Sequence, residues 1–294
     1  MKEIAIIGPT ASGKTELAVE VAKKHDAYIL SLDSLSIYKE VDIASAKPTL
    51  KERCDIPHFG IDVVRVDEEF SVVKFFDIYK DAKQKCLEEN KNLIIVGGSS
   101  FYLKSMIDGL SQNLNITTEI KREVKENIKD LNLAYDFIKK IDSEYALKIS
   151  KSDKYRIEKW YEIFLSKNEV PTKVFLNNQK KPLLKDLKIY NIEIDRENLR
   201  KKISLRTNQM IKDGLIDEVY FLDKKYGRNN IPLKAIGLKE TLLYLDGKLD
   251  ILGLEKQIST NTWGLAKRQI TFNKSQFSTK ITNIKENLKN TISF

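Results

Sequence analysis

Cysteine is nearly absent: Cys54 and Cys86 stand alone, at a spacing that suits neither a metal site nor a disulfide framework. A reducing, cytoplasmic setting is the expectation. Long apolar runs are missing as well. The longest, around Ile4–Ile7 and Leu93–Val96, are strand-sized and fall far short of the roughly 20 residues that cross a bilayer, so no membrane partner is expected. No secretory leader is expected either, because strand residues begin at Glu3. Internal repeats and low-complexity tracts are absent. What remains is 41% hydrophobic and 32% charged, which supports a real core in a water-soluble chain. The 294 residues allow one large α/β domain or two smaller units.

Positive charge outweighs negative outside the first third. Residues 1–110 carry 15 basic and 18 acidic side chains, whereas 111–190 carry 17 and 12, and 255–294 carry 7 and 2. The net +9 therefore lies mostly away from the N-terminal region. A polyanionic partner larger than a nucleotide would explain this; solvated helix faces in a lysine-rich chain are the plain alternative.

Against these absences one motif is complete. Gly8-Pro9-Thr10-Ala11-Ser12-Gly13-Lys14-Thr15 reads G-x-x-x-x-G-K-T, a phosphate-binding loop. Its glycines let successive backbone N–H groups turn inward around an anion, Lys14 adds positive charge, and the Thr15 hydroxyl can reach Mg²⁺. The context agrees. A buried-strand run, Glu3–Ile7, precedes the loop, and 15–24 follows with apolar residues at 17, 18, 21 and 22, one face of a helix.

Strand and helix patterns alternate through the first 110 residues. Ala27–Leu32 is a second strand ending at Asp33-Ser34, a helix is predicted over 72–89, and Leu93–Val96 is a third strand running into Gly97-Gly98-Ser99-Ser100. The order predicts an α/β fold: a P-loop NTPase-like parallel sheet flanked by helices, with ligands beyond the carboxyl ends of the strands. From 113 to 180 the pattern is helical. Residues 119–140 are amphipathic, and Ile157, Trp160, Tyr161, Phe164 and Leu165 form a buried stripe with Arg156 and Lys159 on the other side. The Asn177-Asn178-Gln179 stretch closes this segment. Residues 187–194 resemble a strand returning to the sheet, and helices follow near 196–213, 214–226 and 254–272. The expected organisation is a discontinuous core, 1–112 with 187–294, and a helical insertion domain, 113–186.

Three observations narrow the chemistry. Asp33 ends a strand facing the crevice, where a carboxylate can assist Mg²⁺, act as a general base, or cap the following turn. The strand at 93–96 ends without the Asp that many nucleoside-triphosphate hydrolases use to hold metal, which weakens an ATPase reading. Ala266-Lys267-Arg268-Gln269 lies on a helix without an acidic neighbour, so Lys267 and Arg268 are either a solvated face or contacts to a nucleic-acid backbone.

The chain resembles the tRNA dimethylallyltransferases, also called tRNA isopentenyltransferases. The motifs that carry the likeness are ordered and span nearly the whole length. They are Gly8–Thr15; Asp33-Ser34 with Tyr38; Asp42-Ile43-Ala44-Ser45-Ala46-Lys47-Pro48; Pro57-His58; and Val96-Gly97-Gly98-Ser99 with Tyr102. Further on come Asp153 with Arg156, Asp213-Gly214-Leu215 with Glu218-Val219, Ile236-Gly237, and Ala266–Gln269. The resemblance implies transfer of a dimethylallyl group from dimethylallyl diphosphate to N6 of the adenosine 3′ to the anticodon, with Mg²⁺ as cofactor and the tRNA anticodon stem-loop as partner. It further implies that Asp33 is the base, that Thr10 and Lys14 assist, and that Arg206 lies along the reaction channel beside the loop residues Gly8, Pro9, Thr10, Ala11, Ser12, Gly13, Lys14 and Thr15. Contacts to tRNA are implied for Asp33, Ser34, Leu35, Ser36, Ser99, Lys121, Tyr155, Arg156, Ile157, Glu158 and Lys159, and the 113–186 insertion becomes a tRNA-binding domain. A monomer is expected.

The chain departs from the family pattern in places. Lys159 stands for an arginine, keeping charge but losing the bidentate fork. Ser45 and Ser99 stand for threonines, Trp263 for an arginine and Phe272 for a tryptophan. No Cys/His finger follows the core, which fits the bacterial form. Free adenine-nucleotide prenyl transfer, small-molecule phosphorylation by a P-loop kinase, and RNA binding without catalysis are the alternatives. The large basic insertion speaks against the first.

Overall fold

In a computed structural model of the protein, residues 1–109, 116–177 and 181–294 are described. The expected boundary at 112–113 and the pair Asn178-Gln179 lie outside them. The chain divides into two compact units, Met1–Met106 with Leu184–Phe294, and Ile107–Leu183.

The first unit is built on six parallel strands: β1 (Glu3–Ile7), β2 (Ala27–Leu32), β3 (His58–Phe59), β4 (Asn92–Gly97), β5 (Lys188–Glu193) and β6 (Ile281–Ile284), in the order β3-β2-β4-β1-β5-β6. Helices connect them: α1 (Lys14–His25), the short α2 (Leu50–Arg53), α3 (Val72–Glu88) and α4 (Ser100–Asp108). Ile4, Ala5, Ile6 and Ile7 are all buried, as are Leu93, Ile94, Ile95 and Val96. Such unbroken apolar strands form where both faces of a parallel sheet are covered.

The second unit holds α5 (Thr118–Asn127), α6 (Leu131–Ile141), α7 (Ser143–Ala146), α8 (Lys154–Lys167) and α9 (Pro171–Asn177). Residues 119–140, expected as one amphipathic stretch, form two helices, because the Asp130 carboxylate accepts the N–H groups of Asn132 and Leu133 and starts α6 afresh. Ile157, Trp160 and Tyr161 of α8 are buried against Val124, Ala134 and Ile138. At the centre the Asp142 carboxylate accepts the Trp160 indole N–H (3.0 Å), the Thr172 hydroxyl (2.7 Å) and the Thr172 N–H (3.1 Å). These bonds to its charged form outweigh burial and hold its carboxyl below the usual range, although burial is the largest single influence.

The first unit resumes with α10 (Arg196–Lys212), α11 (Leu215–Tyr226), α12 (Leu238–Leu245), α13 (Ile251–Gln276) and α14 (Lys285–Thr291). The α10 and α13 helices pack together. Leu215, Val219 and Leu222 of α11 share a core with Ile37, Val41, Leu238, Leu254 and Ile258.

Strand register levels the site. Gly97 pairs with Ile7 on one side and Leu32 on the other, so the loops after β1, β2 and β4 leave the sheet at one height. Gly97 is a close-approach glycine: an added Cβ would lie 2.3 Å from the Leu32 carbonyl oxygen. Gly97→Ala should therefore lower the free energy of unfolding by about 1–3 kcal/mol or more in denaturant titrations; a wild-type midpoint would show that the strands can part to admit the methyl.

Candidate functional site

The phosphate loop spans from β1 to α1 in a conformation that only some of its residues tolerate easily. Ala11 has φ +61° and Gly13 φ +83°, both left-handed, just before the N-terminus of α1, a backbone form that can aim N–H groups at an anion. Gly8, Pro9 and Ser12 are buried, and the Ser12 hydroxyl has no hydrogen-bond partner among the described residues. Lys14 folds back so that its Nζ donates to the Pro9 carbonyl at 2.8 Å. Burial and the neighbouring Arg206 guanidinium push the Lys14 ammonium down to about 8, against the opposing pull of Asp33. Burial lowers Arg206 as well, and Asp33 again works the other way. The Arg206 guanidinium donates to the Thr10 hydroxyl at 3.3 Å.

Asp33 takes one of the roles left open by its sequence position, that of a turn cap. Its Oδ1 accepts the N–H groups of Leu35 (2.8 Å) and Ser36 (3.1 Å), capping the turn, while the residue also lines a cavity. Oδ2 has no hydrogen bond among the described residues. Ser99 accepts the Ser34 N–H at 3.2 Å, joining the ends of β2 and β4.

Two cavities meet this centre. One, of about 510 Å³, is walled by Thr10, Asp33, Ser34, Leu35, Ser99 and Tyr102 together with apolar Ile203, Met210, Ile258 and Leu265. Tyr102 stacks on Phe75 at 4.8 Å, and burial is the main cause pushing its hydroxyl up to about 12. The other, of about 840 Å³, is lined by the loop residues Ala11, Gly13, Lys14 and Thr15 and by charged side chains of both signs, Lys47 and Lys202 as well as Glu16, Asp42 and Asp213. Arg206 and Met210 border both. An anion can thus be held on one side of Arg206 and a largely apolar group on the other.

Several sequence-predicted residues come together here: Thr10, Lys14, Thr15, Asp33, Ser34, Leu35, Ser99 and Arg206. Others do not. Ser36 is 3% exposed with its hydroxyl 3.3 Å from that of Ser31, and Ile157 is fully buried in the core of the second unit. Neither side chain is presented at the surface. Lys267 and Arg268 are exposed on α13 and line neither cavity; the Lys267 ammonium lies 5.9 Å from the Trp263 ring, whose face also meets Arg200 at 4.6 Å. In the second unit Lys121 is exposed on α5, which packs against α8. On α8, Tyr155 is 70% exposed, Arg156 pairs with Asp153, Glu158 is half-buried, and Lys159 pairs with Glu162 at 2.5 Å.

Sequence reasoning missed the side chains that hold the walls. Gln269 accepts the Thr10 N–H (2.8 Å) and donates to the Gly98 carbonyl (3.1 Å), tying the phosphate loop to the end of β4. Its place in the Ala-Lys-Arg-Gln block was the available signal, overshadowed by the charges beside it. Glu218 accepts three backbone N–H groups, from Asp42 (2.8 Å), Ile43 (2.7 Å) and Ala44 (2.9 Å), fixing a loop that borders both cavities.

The chain belongs to the IPP transferase family, whose model matches residues 36–276. A tRNA dimethylallyltransferase from Aliarcobacter butzleri is 54% identical over 292 residues, covering 99% of this chain and 98% of the relative. Among solved structures, the tRNA isopentenylpyrophosphate transferase of Bacillus halodurans superposes with a TM-score of 0.72 at 26% identity, covering 98% of this chain and 94% of that one. A tRNA isopentenylpyrophosphate transferase of Staphylococcus epidermidis gives 0.68 at 29% identity, covering 98% and 94%. Among the described residues no helix is long and apolar enough to cross a membrane.

Two expectations follow. Gln269→Leu leaves the Thr10 N–H and Gly98 carbonyl without their partner and should cost about 1–3 kcal/mol in denaturant unfolding; no change in midpoint would mean water takes over the bridge. Because the Lys14 pKa lies near 8 in the free site, a diphosphate ligand that requires the ammonium should bind progressively more weakly as pH rises through about 8. Lys14→Arg, which stays charged, should flatten that profile, and an equally steep profile in this variant would assign the titration to another group.

Proposed function

We propose that the protein transfers a dimethylallyl group from dimethylallyl diphosphate to N6 of the adenosine 3′-adjacent to the anticodon of tRNA, releasing diphosphate, and that it does so as a cytoplasmic monomer. The observation that carries this reading is the junction of an anion-holding loop with a largely apolar cavity at Arg206, with the Asp33 carboxylate beside it.

The diphosphate takes the loop side, held by the backbone N–H groups before α1 and by Lys14. Arg206 stands where negative charge grows as the allylic C–O bond breaks. The adenine takes the other cavity, whose volume of about 510 Å³ accommodates a base together with a five-carbon prenyl group. A stacked base cannot enter, so the adenosine is extruded, a small cost in an unpaired loop. N6 attacks the allylic carbon, the N–C bond forms, the bridging C–O electrons leave with the diphosphate, and the N6 proton passes to Asp33 Oδ2. Thr10, held by Arg206 and Gln269, orients the reacting groups. Lys121, Tyr155, Arg156, Glu158 and Lys159 offer polar and cationic contacts to RNA, as do Lys267 and Arg268.

Thr15 suits a Mg²⁺ site. It is exposed in the polar cavity, and its hydroxyl has no hydrogen-bond partner among the described residues. An ion held by Thr15 would take its other ligands mainly from water and phosphate oxygens. When bound, the ion supplies further charge to the leaving diphosphate.

Incubation with labelled dimethylallyl diphosphate and Mg²⁺ should place label in tRNA; label in AMP but not in tRNA would overturn the reading. Asp33→Ala should cut turnover about 10²–10⁴-fold. Because Asp33 also caps its own turn, Asp33→Asn separates the roles: it keeps an oxygen for the cap and loses the basicity. A loss smaller than tenfold in Asp33→Asn would remove Asp33 as the base.

A further inference from the structure

The residues after Gln276 lie beyond those matched by the family model, yet they pack against the phosphate loop. Here β6 runs parallel to β5, and α14 packs on α1 with Leu288 and Ile292 buried in the same core as Leu17, Ala18 and Val21. The Tyr190 hydroxyl donates to the Ser293 carbonyl at 2.9 Å and accepts the Ser293 N–H at 3.2 Å, securing the end of the segment. Two ion pairs run along the seam between α14 and α1: Lys289 with Glu20 at 2.9 Å, and Lys285 with Glu16.

The second pair differs from the first in what surrounds it. The Lys285 side chain is 21% exposed, because its stem lies against the loop; a Cβ added at Gly13 would meet Lys285 Cδ at 3.2 Å and Nζ at 3.5 Å. Glu16 is 68% exposed in the first turn of α1, and it lines the same cavity as Gly13, Lys14 and Thr15. A carboxylate at the N-terminus of a helix favours that helix but opposes a second anion bound at the same end.

We infer that Lys285 is a positioning residue for the diphosphate, neutralising Glu16, the carboxylate in the first turn of α1 that would otherwise oppose the donor at the loop. The packing of its stem on Gly13 holds the ammonium at that carboxylate. The inference rests on the diphosphate reading of the loop. Because Glu16 is exposed and its charge is screened by water and salt, the effect on affinity is modest, about three- to tenfold.

The test is calorimetric binding of inorganic diphosphate to the full chain, with thermal melting alongside. Lys285→Met keeps an apolar stem on Gly13 and removes the charge, and should weaken binding about three- to tenfold, less so at high salt. Adding Glu16→Gln to that variant should restore affinity, and Lys285→Arg should bind as the wild type does. Wild-type affinity in Lys285→Met would overturn the inference. So would a double variant as weak as the single one, which would leave Lys285 a packing role only. If the wild-type chain binds diphosphate but labels no tRNA, the prenyl-transfer reading fails while this test still stands.

Discussion

Two cations with little access to water, Lys14 at the start of α1 and Arg206 within α10, set the terms for the rest of the site. Lys14 and Arg206 stand close enough that the guanidinium lowers the lysine, and burial lowers both. Asp33 opposes this for both, and Glu52 does so for Arg206. Like charges withdrawn from water are unfavourable unless a counter-charge arrives. An anion brought between them would supply that counter-charge. The fold supplies the constraint through register: Ile7, Leu32 and Gly97 lie level across β1, β2 and β4, and the three following loops have no choice but to converge.

Convergence alone leaves loops free to drift, and the chain spends uncharged and acidic side chains on preventing it. Gln269 uses its oxygen on the Thr10 N–H and its nitrogen on the Gly98 carbonyl, so only one orientation of the amide satisfies both. Glu218 fills three orphan amides of the 42–44 loop. Glu240, 1% exposed, accepts the Gly237 N–H at 2.7 Å and the Asn261 amide at 2.6 Å, tying another cavity wall to α13. A leaving-group site benefits from such rigidity, since donors already in place need not reorganise while charge develops.

Much of this was legible in the residues. Apolar runs located β1, β2, β4 and β5, and the 3.6-residue period located α1, α3 and α8, because each signal is local and strong. The two-residue β3 carries no periodic signal at all. In β6, Ile281 and Ile284 are exposed, so its pattern is not that of a buried strand. The break at Asp130 turns on one capping side chain inside an otherwise continuous amphipathic pattern. The same division holds at the site. Lys14 and Asp33 follow from motif and strand end. The role of Gln269 depends on partners 259 and 171 positions away, which its place in the Ala-Lys-Arg-Gln block does not reveal. Ser36 and Ile157 fall on the inward side of segments whose other residues face out, a distinction that a run of consecutive candidates erases.

Lys47 shows why motif membership and ligand contact must be kept apart. It belongs to the Ala-Lys-Pro block and borders the polar cavity, where a lysine invites assignment to phosphate. Its side chain is only 4% exposed, and its ammonium already donates to the Tyr38 carbonyl (2.6 Å), Asp42 (2.7 Å) and Asp62 (2.6 Å). All three ammonium protons are in use, so binding a phosphate would mean breaking contacts that already satisfy a buried ammonium. Lys47 is therefore a fastener for the loop that Glu218 grips from the other side. Lys14, with one carbonyl partner and a depressed affinity for its own proton, is the lysine with capacity to spare for an anion.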